Sequence, residues 1–338
     1  MARAGESHRL SARAAWAAAM AIGRTIERTA TRASLSALAR RVESVALRGV
    51  TRERLESMRM NALRRPPTVF SDFARDAASA FGDADAAAIA HAPLVALIEA
   101  IKIIDGVQDE EPVCLATEIG VDAALHVAGG AMAWSIERAA ALPLEDPSWR
   151  AAVIAIGRGL RETACGQMLE THDGNFDDFW RMVDRKTPPL VATALELGAL
   201  CAGADPASAA ALTRLAIPLG RILQIGDDCH DALGPAAADW RNPALNLLMR
   251  FTLSGPHRDE FAALLRKADF HAARHLLLRD GALAYAMHAQ TATLHELETL
   301  LDELALPDPA PFRQSLQYHR VNVERLMLQM GVPSEAVG

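Results

Sequence analysis

The sequence predicts an all-α protein, and three observations carry that reading. Alanine dominates a composition that is 51% hydrophobic, while tyrosine occurs only twice in 338 residues. Strands favour β-branched and aromatic residues, which this chain supplies sparingly. Apolar residues recur at helical spacing along most of the chain, and Pro, Gly and Asp turns cut it into helix-length segments. No linker, low-complexity segment or strong internal repeat divides it, so one large helical domain with a substantial core is expected.

The first 60 residues are rich in Arg, Ala and Ser and poor in acids. Such a composition suits a transit peptide or a basic helix lying on a membrane or partner. An ordinary helix hairpin is the preferred reading. The expected division is a basic helical segment over 1–60, wholly or partly ordered, and a helical domain over 61–338. Arg64-Arg65-Pro66-Pro67 breaks the chain before a helix near 68–81. Helices follow near 117–142, 147–171, 175–203 and 206–233. A loop from Gly234 to Pro243 leads to helices near 244–253, 257–278, 281–304 and 310–330. His271 and His275 share one helix face, but no third ligand lies nearby in sequence.

A net charge of −7 and a pI near 5.9 argue against nucleic acid as a partner. Four scattered cysteines suit a reducing, cytoplasmic setting. No unbroken apolar run reaches the roughly 18–20 residues of a membrane span.

Two apolar helices end in acids. Residues 94–112 run through Leu, Ile and Ala to Asp105, Asp109, Glu110 and Glu111 before a proline. Residues 216–235 do the same with Asp227, Asp228 and Asp231 before Gly234-Pro235. In each, two aspartates stand four positions apart and share a face. Carboxylates at a helix C-terminus oppose the dipole and repel one another, so a cation should compensate. Hard oxygen donors without His or Cys between them favour Mg²⁺, which joins a few carboxylates to substrate phosphates.

Gln224-Ile-Gly-Asp-Asp-Cys-His-Asp231 resembles the second aspartate-rich motif of the trans-isoprenyl (polyprenyl) diphosphate synthases, with Leu223 in place of the aromatic. Gly166-Gln167, Lys186-Thr187 and Arg65-Pro66 fall in that family's order and spacing, so the resemblance covers nearly the whole chain. It implies a single-domain bundle of long helices around a central apolar cavity. It also implies three Mg²⁺ ions gripping an allylic isoprenoid diphosphate, and a homodimer or heteromer. On this resemblance Asp105, Asp109 and Asp227 are metal ligands, with Asp228 and Asp231 in support. Lys186, Thr187 and Gln224 are the catalytic candidates near the scissile bond. Arg64, Arg65, Lys186, Arg241 and Gln167 are the candidates for holding substrate diphosphate.

The departures are concentrated. Gly106 replaces the middle aspartate of the first motif, and Ala62, Ile98 and Cys114-Leu115 stand where the family holds isopentenyl diphosphate. Near Asn242 a lysine is lost, with Arg241 as the candidate substitute. Each contact to a charged group contributes roughly 1.5–3 kcal/mol, so this loss is large beside the roughly 8 kcal/mol of a micromolar complex. The leading expectation is therefore an Mg²⁺-dependent prenyltransferase with an undefined acceptor. A terpene cyclase on the same scaffold and a non-catalytic subunit of a heteromeric synthase remain alternatives.

Overall fold

A computed structural model describes residues 2–29, 31–46, 56–57, 68–110, 114–169, 176–234, 240 and 243–317. The described residues are helical throughout, with no strand among them. They form two compact units. The first comprises Met1–Met168, Pro189–Arg214 and Leu306–Asp308; the second comprises Leu169–Pro188, Leu215–Ala305 and Pro309–Gly338.

The first unit begins with α1 (Ala2–Thr29) and α2 (Arg32–Ala46). The basic N-terminal segment, expected as a region of its own, thus contributes packed helices to this unit. Ala12, Trp16, Ala19, Gly23 and Ile26 of α1 are buried, in alternating steps of four and three that keep one face inward. That face packs on α7 (Ser148–Met168) and touches α4 (Ala87–Gln108). A Cβ on Gly23 would lie 2.4 Å from the Gly157 carbonyl oxygen, so only glycine admits this approach. Arg161 of α7 binds Glu27 through Nε at 2.7 Å and Nη2 at 3.3 Å.

Helix α3 (Val69–Ala80) is capped by Thr68, whose side chain accepts from the Ser71 N–H. Helix α4 is the core element. Leu94, Leu97, Ile98, Ile101 and Ile104 are all buried, and these residues do not share one narrow stripe. Among the described residues it is the one helix, over 84–108, long and apolar enough to cross a membrane. Of its most apolar stretch, 61% is buried inside the protein, as a core helix would be. Helices α5 (Leu115–Ile119) and α6 (Val121–Ala140) split the expected 117–142 segment at Gly120, whose φ of 86° ends α5. Helix α6 packs on α2 and α4.

The second unit contains α8 (Phe176–Lys186), α11 (Ala216–Leu233), α12 (Leu247–Ser254), α13 (Arg258–Arg266), α14 (Phe270–Arg279) and α15 (Ala282–Glu303). Helices α9 (Pro188–Cys201) and α10 (Pro206–Ala211) stand between α8 and α11 in the chain. The unit's core gathers Phe179, Val183, Ile225, Cys229, Leu248 and Leu277, with α11 packed on α15, α12 and α8.

In the first unit, Gly198 of α9 meets α3 at very short range: an added Cβ would lie 2.0 Å from the Ala74 carbonyl oxygen. Backbone cannot retract as a flexible side chain can, so Gly198→Ala should cost roughly 1–3 kcal/mol. Urea denaturation checks this; unchanged stability would mean that the two helices can part cheaply.

Candidate active site

In the first unit the acidic end of α4 is fixed by two long-range contacts. The helix ends at Gln108, and Asp109 is its C-cap, donating its N–H to the Asp105 carbonyl at 2.8 Å. Asp105 therefore occupies the last turn, while Asp109 sits just beyond it; both are half-buried. Trp16 Nε1 donates to Gln108 Oε1 at 2.8 Å, which pins that turn against α1. Gln167 of α7, a candidate for holding the diphosphate, donates its amide to Asp105 Oδ1. Its side chain is buried, and its own Oε1 has no hydrogen-bond partner among the described residues. Gln167 thus orients a carboxylate. Ile98 is buried among apolar neighbours on α4.

In the second unit the break between α8 and α9 places Lys186. Pro188 disfavours the helical conformation for the residue before it, so the expected 175–203 helix ends at Lys186 and restarts beyond Thr187. Arg185 and Lys186 then occupy the last turn of α8, where cations complement the dipole. Arg221 of α11 holds this helix by a two-pronged ion pair to Asp184, Nε–Oδ1 2.7 Å and Nη2–Oδ2 2.8 Å. Its guanidinium also lies over the Trp180 ring at 5.5 Å. The hydrogen bond to Asp184 holds the arginine's pKa above its ordinary value. Gly220 lets α11 approach Pro188 closely: a Cβ there would lie 2.6 Å from proline Cγ.

Three aspartates near the end of α11 have different fates. Asp227 is exposed and Asp231 half-buried, and their four-residue spacing sets them on one face. Asp228, about 100° round the helix from Asp227, turns into the core and is 1% exposed. Its Oδ1 accepts from Gln224 Nε2 at 2.7 Å and its Oδ2 from the Leu247 N–H at 2.8 Å. Asn246 Nδ2 donates to the Asp228 carbonyl at 2.8 Å, while Asn246 Oδ1 caps α12 by accepting from the Leu248 and Met249 N–H groups. Grouped with the metal carboxylates from sequence, Asp228 is structurally a buried clasp that fixes the rotation of α11. Gln224 serves the clasp as well. Beside it, burial and then the Asp228 charge push the Cys229 thiol up to about 12.

Arg64, Arg65 and Arg241 lie outside the described residues. Sequence reasoning missed Arg221, Asp184 and Asn246. The last had a signal, since an Asn directly before the apolar run Leu247-Leu248-Met249 is a helix-start pattern.

The outward carboxylates can hold a hard divalent cation. No cluster of three His, Cys, Asp or Glu side chains able to hold a metal occurs among the described residues. Sparse carboxylates of this kind fit Mg²⁺, which binds one or two protein oxygens and completes its shell with phosphate and water. They do not fit a metal that needs a full protein cage.

No curated protein matches the chain. A geranylgeranyl pyrophosphate synthetase from Pyrococcus horikoshii Ot3 superposes with a TM-score of 0.69 at 18% identity, covering 90% of this chain and 98% of that one. A polyprenyl synthetase from Streptomyces coelicolor A3(2) gives 0.67 at 17% identity, covering 92% and 99%. A Caulobacter crescentus CB15 polyprenyl synthase, complexed with calcium and isoprenyl diphosphate, gives 0.64 at 21% identity, covering 90% and 95%. These likenesses establish a shared fold. The polyprenyl synthetase family model matches residues 75–242, a stretch that includes both acidic helix ends and Lys186, and the chain belongs to that family.

Proposed function

We propose that the protein is an Mg²⁺-dependent prenyltransferase that ionises an allylic isoprenoid diphosphate. The observation that carries this reading is the sorting of aspartates on α11. Asp227 and Asp231 are turned outward while Asp228 is locked inward, next to a helix that Arg221 holds with Lys186 at its tip. Asp105, held by Gln167, and Asp109 supply the other acidic end.

Bound Mg²⁺ neutralises the charge that builds on a departing diphosphate. In the first unit Asp105 and Asp109 would hold it, and in the second Asp227 would, with Asp231 in support. The Lys186 ammonium would meet the remaining phosphate charge. Thr187, at the turn beside it, would line the region near the breaking bond. An allyl cation survives only where water is excluded. The Ala-, Leu- and Ile-rich faces of these helices provide no nucleophile to quench it.

A second reading, a cyclase derived from a synthase, rests on one observation. Ile98 offers no charge or donor where an isopentenyl diphosphate ligand is expected, and it is sealed in the core. In a cyclase the cation reacts with its own double bonds and needs no such acceptor site.

The purified protein should be incubated with Mg²⁺ and geranyl, farnesyl or geranylgeranyl diphosphate, with and without isopentenyl diphosphate. Diphosphate release that requires an acceptor supports transfer. Release from the allylic substrate alone, leaving an extractable hydrocarbon or alcohol, would move the assignment to cyclisation. Inertness under all conditions would favour a regulatory subunit.

Two further outcomes separate metal ligands from the clasp. Asp105→Ala and Asp227→Ala should abolish diphosphate release without loss of helicity. Asp227→Ala should melt close to the wild-type temperature, since Asp227 is exposed and surface substitutions usually change stability by no more than about 0.5 kcal/mol. Asp228→Ala should instead lower stability by about 1–3 kcal/mol, because it leaves the buried Leu247 N–H unmatched. Wild-type activity in both Asp105→Ala and Asp227→Ala would remove the metal assignment.

A further inference from the structure

The second unit holds a cleft of about 590 Å³ that shares no residue with the candidate active site. This is within the size range of small-molecule sites. One part of its wall is aromatic. The Tyr285 ring stacks on Phe251 with centroids 4.9 Å apart and planes at 24°, and meets Phe176 edge-on at 5.2 Å. Its hydroxyl accepts from Trp180 Nε1 at 3.4 Å, which fixes the ring further.

The polar part of the wall is made by His257, Arg279 and Asp280. The Asp280 side chain is only 5% exposed and sits at 2.7 Å from His257 Nδ1 through Oδ1. Its Oδ2 is buried with no hydrogen-bond partner among the described residues. A buried carboxylate oxygen without a donor is costly, so a donor that reaches it is favoured. Arg279 is engaged by Glu260 at 3.3 Å, which offsets the positive charge in the lining. The imidazole over Asp280 is replaceable: its side chain is 45% exposed, on the turn after Gly255-Pro256.

We propose that this cleft binds an apolar organic amine. Its body lies against Phe176, Phe251 and Tyr285, and its ammonium takes the place of His257 on the Asp280 carboxylate. Aromatic faces attract cations as well as apolar surface, so one wall serves both parts of such a molecule. The proposal is independent of the catalytic reading.

Calorimetric titration of the full chain with 4-phenylbutylamine, 4-phenylbutanol and 4-phenylbutyrate tests it, since the three differ only in the head group. The amine should bind saturably with one site, the alcohol at least tenfold more weakly and the acid not at all. Asp280→Asn should weaken amine binding at least tenfold, whereas His257→Ala, which removes the competitor, should strengthen it. Ser254→Trp fills the cleft from an exposed position and should abolish binding even if Asp280→Asn folds poorly. Asp227→Ala should leave amine binding unchanged, which excludes capture by the acidic end of α11. Equal binding of amine and acid, no saturable binding, or retention of binding in Ser254→Trp would overturn the proposal.

Discussion

A carboxylate sealed away from water must be met by donors, and Asp228 is met by two, the Gln224 amide and the Leu247 N–H. Because the second donor is the backbone at the start of α12, the contact fixes both the rotation of α11 and the return of the chain beyond it. An α-helix turns about 100° per residue, so locking Asp228 inward decides where its neighbours point. Asp227 faces outward for that reason, and Asp231, one turn on, follows it. Asn246 reinforces the arrangement by bonding the Asp228 carbonyl and capping α12 with the same side chain. The clasp gains local rigidity from a group that burial alone would have disfavoured.

The helical class was legible because composition and periodicity agreed along the whole chain. Boundaries were legible where proline or glycine closed an apolar run, as at Gly234, which follows α11; the split at Gly120, inside a continuing apolar pattern, was not read. The break at Thr187 was not read, although Pro188 signals it, because the flanking apolar pattern continues through it. The candidate residues were legible as types and spacings, but their division of labour was not. Periodicity sets Asp227 and Asp231 on one face, yet it does not say which face is buried. Only packing shows that Asp228 is consumed by the fold. Gln167 makes the same point, since its amide serves Asp105. A side chain that acts through another leaves no pattern in a single sequence.

Arg221 shows how an ordinary ion pair becomes consequential by position. Exposed pairs contribute little, whereas a two-pronged arginine–carboxylate contact over an aromatic ring is geometrically demanding. Here it joins the helix that ends in Lys186 to the helix that carries Asp227. The backbone positions that carry Lys186 and Asp227 are thereby tied to one another within one unit.

The contact between α1 and α7 has a practical meaning for anyone handling the protein. A basic, alanine-rich beginning invites trimming, as though it were a tail to be discarded before expression. Trp16 is wholly enclosed, Gly23 lies against the backbone of α7, and Glu27 is gripped by Arg161. Cutting within residues 12–27 would open an apolar trough along α7 and remove one of the two long-range contacts on the last turn of α4, that from Trp16 to Gln108. The acidic end of the core helix would then keep the contact from Gln167 but lose the one from α1, without any change to its own sequence. What looks from composition like a leader is, physically, one wall of the first unit.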